Sequence, residues 1–518
     1  MKHNLILLLL ALACWPPVMS QEAAPRQYVY LDDWTYELVD YWINSGALSH
    51  RFVLNQPFTL AQIKGGLSIQ DEWTRRVSTY FDEYYGANEV GKLILYGRDN
   101  ISLVSNGDLP LRKGEQAAPV DDLILFDNRS KNHYSFVAQV NLALPHLSLV
   151  NRTAINSEFL DDPLYPGDTG EWIYGRLEDA YMNANFGGFD FFFGRTDRNW
   201  GTLSSPSLIL SNNPYSYDHA QFSYTSKKIK FSMVVARLED MPGQDIQGSF
   251  PDSLLESRRY LSAHRLDVSL SQRFQFAVTE VALYGGPDRD LEFGLLNPMG
   301  FFYLVQRNDR KELNGVWALD LFWKPRPRWN LSVQLLLDDF IVNNEPGQND
   351  RARYPDRLGI HFRVSQADAW QRGLQTGLEY TRIGNRTYQS FRTWENFHYR
   401  GKGLGYPAAS VERVAVMARY FRLFPAILKF KASYQRAGGV KLTEVFTGAK
   451  DDRFPAGVVE KTWQLDLGIR YAVQPWSQIT ATVGYERISN YLHVSGDNRS
   501  NLKLILGISV NLALAYGF

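Results

Sequence analysis

The chain has 518 residues, of which 45% are apolar and 14% are aromatic. Its 55 basic and 55 acidic side chains give a formal net charge of zero, which argues against nucleic acid as a partner, because phosphate binding needs a basic surplus. The single cysteine, Cys14, excludes a disulfide framework and a thiolate metal site, and no stretch after residue 20 approaches the ~18 apolar residues of a membrane-spanning helix.

Residues 1–20 have the pattern of an export signal. A basic start is followed by an apolar segment at residues 5–13, and Ser20 provides the small residue before cleavage. An alternative is a lipoprotein signal with lipidation at Cys14, although Leu12 fits that motif poorly. Both alternatives take the protein out of the cytoplasm.

Residues 21–120 are predicted to form a periplasmic helical bundle and a linker. Apolar residues recur at helical spacing up to Gly46, which we interpret as the stop of a first helix. Thr59 and Gln62 have the spacing of a capping box and predict a short second helix. A third helix is predicted from Trp73, Val77, Tyr80, Phe81 and Tyr84, closed by Gly86.

From residue 121 to residue 518 the period of the apolar residues changes to two. The last segment is the clearest example, and its apolar face consists of Leu502, Leu504, Leu506, Ile508, Val510, Leu512, Leu514, Tyr516 and Phe518. It far exceeds the five or six residues of an average soluble strand, whereas a tilted membrane-spanning strand needs ~10 residues. A secreted β-sandwich or propeller, the alternative, would not need strands this long.

About 18 such segments predict a transmembrane antiparallel β-barrel of the outer membrane. The connections between the segments alternate in length. Short turns are predicted at 187–188, 226–228, 325–327, 423–425 and 474–475, and long loops at 157–171, 197–217, 238–257, 286–312, 342–355, 387–409 and 438–460. An even number of strands places both termini and the helical bundle in the periplasm.

The end of the chain resembles an outer-membrane sorting signal. Tyr516 and the terminal Phe518 match the pattern that the barrel-assembly machinery recognises, so this machinery and outer-membrane lipid are predicted partners. No motif for an enzyme, a cofactor or a metal occurs, since the zinc-helix, nucleophile-elbow, P-loop and dinucleotide patterns are all missing from the sequence.

Several predicted outer loops combine aromatic rings with charged and amide side chains, which is the chemistry that binds sugars. Rings pack on sugar C–H faces, while Asp, Asn and Arg bind hydroxyl groups. The candidate polysaccharide-binding residues are Arg195, Asp197, Arg198, Trp200, Asn212, Asp338, Asp339, Trp394 and Tyr399. The alternative is that the same residues only fasten the loops to one another inside the barrel mouth.

The segment Gly194-Arg195-(x)4-Trp200-Gly201, continuing into residues 207–213, resembles the capsule assembly Wzi family. Residues 297–298, 314–320 and 338–340, and the start of the second helix, share this resemblance. One departure is that Thr202 follows Gly201, where the family usually has Pro-Gly. The resemblance implies an 18-stranded outer-membrane barrel, plugged by helices, that holds capsular polysaccharide in a lectin-like manner.

The main hypothesis from the sequence is therefore a non-enzymatic outer-membrane protein that anchors or organises capsular or other surface polysaccharide. A porin or solute channel is the alternative, because a barrel of about 18 strands is wide enough for an aqueous pore. An outer-membrane hydrolase is a third possibility, but the sequence offers no nucleophile–base pair for it.

Overall fold

The structure, a computed structural model, describes residues 27–31, 33–85, 91–105, 131–144, 146–162, 164–168, 175–242, 256–339, 357–448 and 451–516. Within these ranges the helices are α1 Thr35–Ser45, α2 Leu60–Gly66, α3 Glu72–Tyr85 and α4 Phe302–Asn308. No helix of the described part is long and apolar enough to cross a membrane.

The described residues form one closed antiparallel barrel of 18 strands, which confirms the predicted fold class. The strands are β1 Gly91–Val104, β2 Lys131–Leu144, β3 Leu147–Asn156, β4 Gly175–Phe186, β5 Phe189–Arg195, β6 Asp218–Thr225, β7 Ile229–Arg237, β8 Glu256–Ser271, β9 Phe274–Gly286, β10 Asn314–Trp323, β11 Trp329–Asp339, β12 Arg357–Ala367, β13 Leu374–Ile383, β14 Val411–Tyr420, β15 Ala426–Ala437, β16 Glu460–Gln474, β17 Ser477–Ser489 and β18 Asn498–Tyr516.

The barrel closes where β1 pairs with β18 over its whole length, from Gly91 opposite Tyr516 to Val104 opposite Lys503. Closure removes the exposed sheet edges, so the backbone polar groups of the strands are satisfied within the barrel. The barrel thus includes β1, which begins at residue 91, whereas the predicted boundary at residue 121 lies outside the described residues. Asp99 lies on the outward face of β1, opposite Ile508, and interrupts the apolar alternation of this strand.

The outward alternation elsewhere agrees with the sequence pattern. On β16, Trp463 and Leu467 are about 60% exposed, whereas Asp466 between them is buried. The predicted short turns all lie at one end of the barrel, where Gly187 and Gly188, for example, adopt the positive φ angles of a tight turn. The predicted loop at 342–355 lies outside the described residues, as does Phe518.

The predicted helices form where expected. Gly46 ends α1 in the left-handed conformation, and the capping box of Thr59 and Gln62 opens α2. Gly86, the predicted end of the third helix, lies outside the described residues. The aromatic faces of α1 and α3 pack together in one hydrophobic cluster that also contains residues of the barrel wall and its short turns.

The helices dock inside the end of the barrel that carries the short turns. The hydroxyl of Tyr41 donates to Asp368 at 2.8 Å, and its ring lies 4.9 Å from Phe421. The hydroxyl of Tyr80 donates to the carbonyl oxygen of Gln474 at 2.9 Å, and its ring contacts Phe424. The helical bundle therefore plugs this end of the barrel, and the apolar faces of its helices are buried there.

Buried ion pairs fasten α1 to the inner wall. Asp40 lies 2.6 Å from Arg363 of β12, and Glu37 lies 2.6 Å from Lys429 of β15. Burial raises the pKa of Glu37, but the charges of Lys429 and Arg419 outweigh burial and hold the pKa at about 2. The acidic face of α1 is thus matched to basic side chains of the lumen.

Candidate functional site

The long connection between β5 and β6, residues 196–217, folds into the lumen from the other end of the barrel. Trp200 and Leu208 are fully buried. The side-chain amide of Gln334, on β11, donates to the carbonyl oxygen of Trp200 at 2.9 Å and accepts from the backbone N–H of Leu208 at 2.6 Å. This inward loop is therefore part of the packed interior and does not extend into solvent.

The inward loop meets the N-terminal segment in the middle of the lumen. The backbone N–H of Gln56 donates to the carbonyl oxygen of Asn199 at 3.1 Å, and the N–H of Asn199 donates back at 3.2 Å. The side-chain amide of Gln56 also donates to the carbonyl oxygen of Gly201 at 3.0 Å. The inward loop and the N-terminal segment thus form one continuous packed unit.

A polar cavity of about 410 Å³ lies beside this unit, against the wall formed by β3, β4 and β13 to β15. Asp197 and Asn212, two of the predicted binding residues, line it. Charged and polar residues dominate the rest of the lining, among them Arg152, Glu158, Arg176, Glu178, Asn213, Tyr215, Glu379, Lys402 and Arg413. The cavity therefore offers hydrogen-bonding groups of both charges.

Tyr215 marks the outer lip of the cavity, where two cations flank its ring. The guanidinium of Arg176 lies 4.1 Å and the ammonium of Lys402 lies 3.8 Å from the ring centre. Lys402 also pairs with Asp162 at 2.7 Å. Burial alone would raise the pKa of Asp162, but Lys402 and hydrogen bonds lower it below its usual value. Asp162 is therefore negatively charged and holds Lys402 in place at the lip of the cavity.

The two predicted arginines lie close to the cavity and have protein partners. Arg195, at the end of β5, binds Asp218 through its Nε at 2.9 Å. Arg198 is buried, its Nε donates to His219 at 3.1 Å, and its guanidinium lies 4.4 Å from the ring centre of Phe192. In this structure both side chains fasten the start of the inward loop to the barrel wall.

The other predicted residues lie outside the cavity lining. Trp200 is wholly buried, so its indole is not accessible from the outer surface. The carboxylate of Asp338 accepts from the backbone N–H of Tyr388 at 2.7 Å. The carbonyl oxygen of Trp394 accepts from Arg259 at 2.9 Å. The remaining two are Asp339, of which only the backbone pairing with Arg357 is described, and Tyr399, whose ring lies 5.4 Å from that of Tyr217.

Sequence reasoning missed the lip residues Asp162, Arg176, Tyr215 and Lys402. Tyr215 could have been found, because it lies two residues after the family-like segment at 207–213. Asp162 and Lys402 are 240 positions apart, and no local pattern links an acidic residue of one loop to a lysine of another.

The connection between β13 and β14 contains a buried histidine, His398, which predicts a pH dependence of stability. Burial, and then the charge of Arg259, lower the pKa of His398 well below its ordinary value. The folded protein thus keeps this ring neutral while the unfolded chain binds a proton below about pH 6.5. We expect His398 to lower the free energy of unfolding by up to about 1.4 kcal/mol for each pH unit below that value, and His398→Gln to flatten the profile measured by thermal unfolding.

A closed barrel with an apolar outer surface and a lumen filled from both ends defines the class of this protein, an outer-membrane β-barrel. The family model for the capsule assembly protein Wzi matches residues 64–502, and the chain belongs to this family. No curated protein sequence matches the chain.

The solved structure of Wzi from Escherichia coli, an outer membrane protein involved in group 1 capsule assembly and a carbohydrate-binding β-barrel, is similar to this fold. The two chains are 12% identical, the match covers 94% of this chain and 99% of that one, and the TM-score is 0.63. OpdQ of Pseudomonas aeruginosa, 11% identical, matches 82% of this chain and 98% of its own with a TM-score of 0.44. OccAB3 of Acinetobacter baumannii, also 11% identical, matches 82% and 99% with a TM-score of 0.46.

Proposed function

We propose that the protein is a non-enzymatic, lectin-like protein of the outer membrane that anchors or organises capsular or other surface polysaccharide. The observation that carries this proposal is the pairing of Gln56 with Asn199, because it joins the helical plug to the inward loop inside the lumen. A porin needs an open lumen, whereas here the N-terminal segment and the inward loop meet inside the lumen. Membership of the capsule assembly family supports the same conclusion.

The outer surface and the polar cavity are then the places where a glycan would bind. Asp197 and Asn212 offer a carboxylate and an amide for sugar hydroxyl groups. Hydrogen bonds to a charged group contribute about 1.5–3 kcal/mol each. We therefore assign the polysaccharide site to the cavity and its lip, with the other predicted residues supporting the loops that form it.

Replacing Asp197 and Asn212 together by alanine is expected to weaken glycan retention at the cell surface by about ten- to a hundredfold in affinity. The assay is the amount of capsule held on cells of a deletion strain complemented with each variant, together with the yield of heat-modifiable barrel. Asn308→Ala with Asp309→Ala is the matched control, because it removes the same two residue types from exposed positions that do not line the cavity. Equal retention by the two double variants would contradict the assignment.

A recording of single-channel conductance separates this proposal from the porin alternative. We expect the full-length protein in a planar bilayer to give no steady open state. A stable open channel in the unmodified protein would favour a transport function.

We further propose that Tyr516 and Phe518 form the sorting signal for barrel assembly. Deletion of Phe518 is expected to lower insertion into the outer membrane and to raise degradation in the periplasm, because the proposed signal would lack one of its two aromatic residues. The measurement is the ratio of heat-modifiable barrel to total protein in outer-membrane fractions. An unchanged ratio would remove the terminal residue from this role.

A further inference from the structure

The loop that connects β9 to β10, residues 287–313, lies on the outside of the barrel wall. Inward positions on β9 are identified by their lumen contacts: the amide of Gln275 donates to the carbonyl oxygen of His50, and Thr279 accepts from the buried Arg265. Since side chains alternate along a strand, Glu280 and Tyr284 point outward. Glu280 nevertheless is only 1% exposed, so something outside the wall covers it.

The cover is the loop itself. The carboxylate of Glu280 accepts the backbone N–H groups of Phe302 at 3.0 Å and Tyr303 at 2.8 Å, at the start of α4. His264, the direct neighbour of Glu280 on β8, pairs with it at 2.9 Å, and its ring packs on Phe302 at 4.4 Å. The loop thereby covers an outward acid–histidine pair.

One side of the loop packs on the barrel and the other side is apolar and exposed. Leu295 and Phe302 are buried against outward residues of β8 and β9 in one hydrophobic cluster. The uncovered side presents large apolar side chains, namely Leu291, Phe293, Met299, Phe301, Tyr303 and Leu304. Phe293 and Met299 are 88% and 83% exposed. Exposing a contiguous patch of large apolar side chains to water is unfavourable.

This apolar patch continues the lipid-facing surface of the barrel. On β9 only Phe274, Phe276 and Val278 lie on the outward row before Glu280, whereas a membrane-spanning strand needs about 9–11 residues. The outward row of β16, from Trp463 to Val473, has the full length. The apolar, lipid-facing surface of the barrel would therefore be too short at β9 if the loop did not extend it.

We propose that residues 287–313 form an amphipathic cover that lies in the outer leaflet, with its apolar side in contact with the acyl chains of the membrane lipid. The loop supplies the apolar surface that β8 and β9 lack at this height, and it shields Glu280 and His264 from the hydrocarbon. Arg307, exposed and 5.4 Å from the ring of Tyr303, lies where an interfacial arginine and tyrosine reach the lipid headgroups.

The test measures where a fluorophore on Met299→Cys resides when the full-length protein is reconstituted into phosphatidylcholine vesicles. We expect strong quenching by lipids brominated on their acyl chains. We also expect severalfold weaker quenching by aqueous iodide than for the same fluorophore on Val494→Cys, an exposed position in the connection between β17 and β18. The unsubstituted chain, whose sole cysteine is Cys14, measures background labelling.

A second variant removes the hydrogen bonds that Glu280 accepts from the loop. Glu280→Ala should release the loop and shift Met299→Cys toward iodide quenching. Glu412→Ala is the matched control, since Glu412 also faces outward and binds the hydroxyl of Tyr380 at 2.9 Å. Heat modifiability verifies that each barrel is folded.

Two results would overturn the proposal. Iodide quenching at Met299→Cys as strong as at Val494→Cys would place the loop in water. Protection from both quenchers that disappears when the protein is diluted into excess lipid would assign the patch to contact with a second copy of this chain.

Discussion

Replacing Asp40 by alanine is expected to release helix α1 from the barrel wall and to raise the permeability of the outer membrane. Asp40 is fully buried and lies 2.6 Å from Arg363, which is itself 1% exposed. Its carboxylate also accepts from Gln375 at 3.1 Å. Removal of Asp40 takes an acidic partner from the buried Arg363, which keeps Glu379 at 3.3 Å, so we expect a cost of up to about 3–5 kcal/mol.

The measurements are protease sensitivity of residues 27–85 and the conductance of the reconstituted protein. Asp82→Ala is the matched control, because Asp82 belongs to the same helical bundle but pairs with Lys64 at its partly exposed surface, 3.2 Å away. A pair of that kind contributes about 0–1 kcal/mol, so the control should behave as the unmodified protein. If Asp40→Ala kept full protease resistance and no conductance, the buried pair would not be what holds the plug.

Trp200→Ala is expected to destabilise the inward loop by about 3–5 kcal/mol, the usual cost of removing a buried tryptophan side chain. The ring of Trp200 is fully buried among residues of β7 to β11 and of the connection between β13 and β14. Its loss leaves a cavity at the point where the loop packs on the wall. The expected results are a lower unfolding temperature and proteolysis within residues 197–217.

Trp370→Ala is the control for this substitution. Trp370 is 88% exposed in the turn between β12 and β13, and its removal should change the free energy of unfolding by less than about 0.5 kcal/mol. Normal stability of Trp200→Ala together with lost glycan retention would give Trp200 a role in ligand binding in place of the supporting role that its burial indicates.

The sequence by itself determined the barrel, because lipid imposes the same requirement on every strand. Each second residue must be apolar whatever its neighbours are, so the rows of β16 and β18 could be recognised without knowing their partners. The turn at Gly187 and the capping box of Thr59 and Gln62 were also predictable, since each depends on residues a few positions apart. Where a polar residue faces outward, as Asp99 does on β1, this local rule failed.

Only the tertiary structure decided where the long loops go and what fills the lumen. The inward loop is held by Gln334 inside the barrel, and the 287–313 loop is held by Glu280 outside it. Both loops are rich in aromatic and polar residues, so composition could not separate an inner plug from an outer cover. Asp40 and Arg363, 323 positions apart, form their ion pair only because barrel closure brings β12 around the N-terminal helix. Such long-range pairing has no local signature, because its free energy depends on burial that exists only in the folded protein.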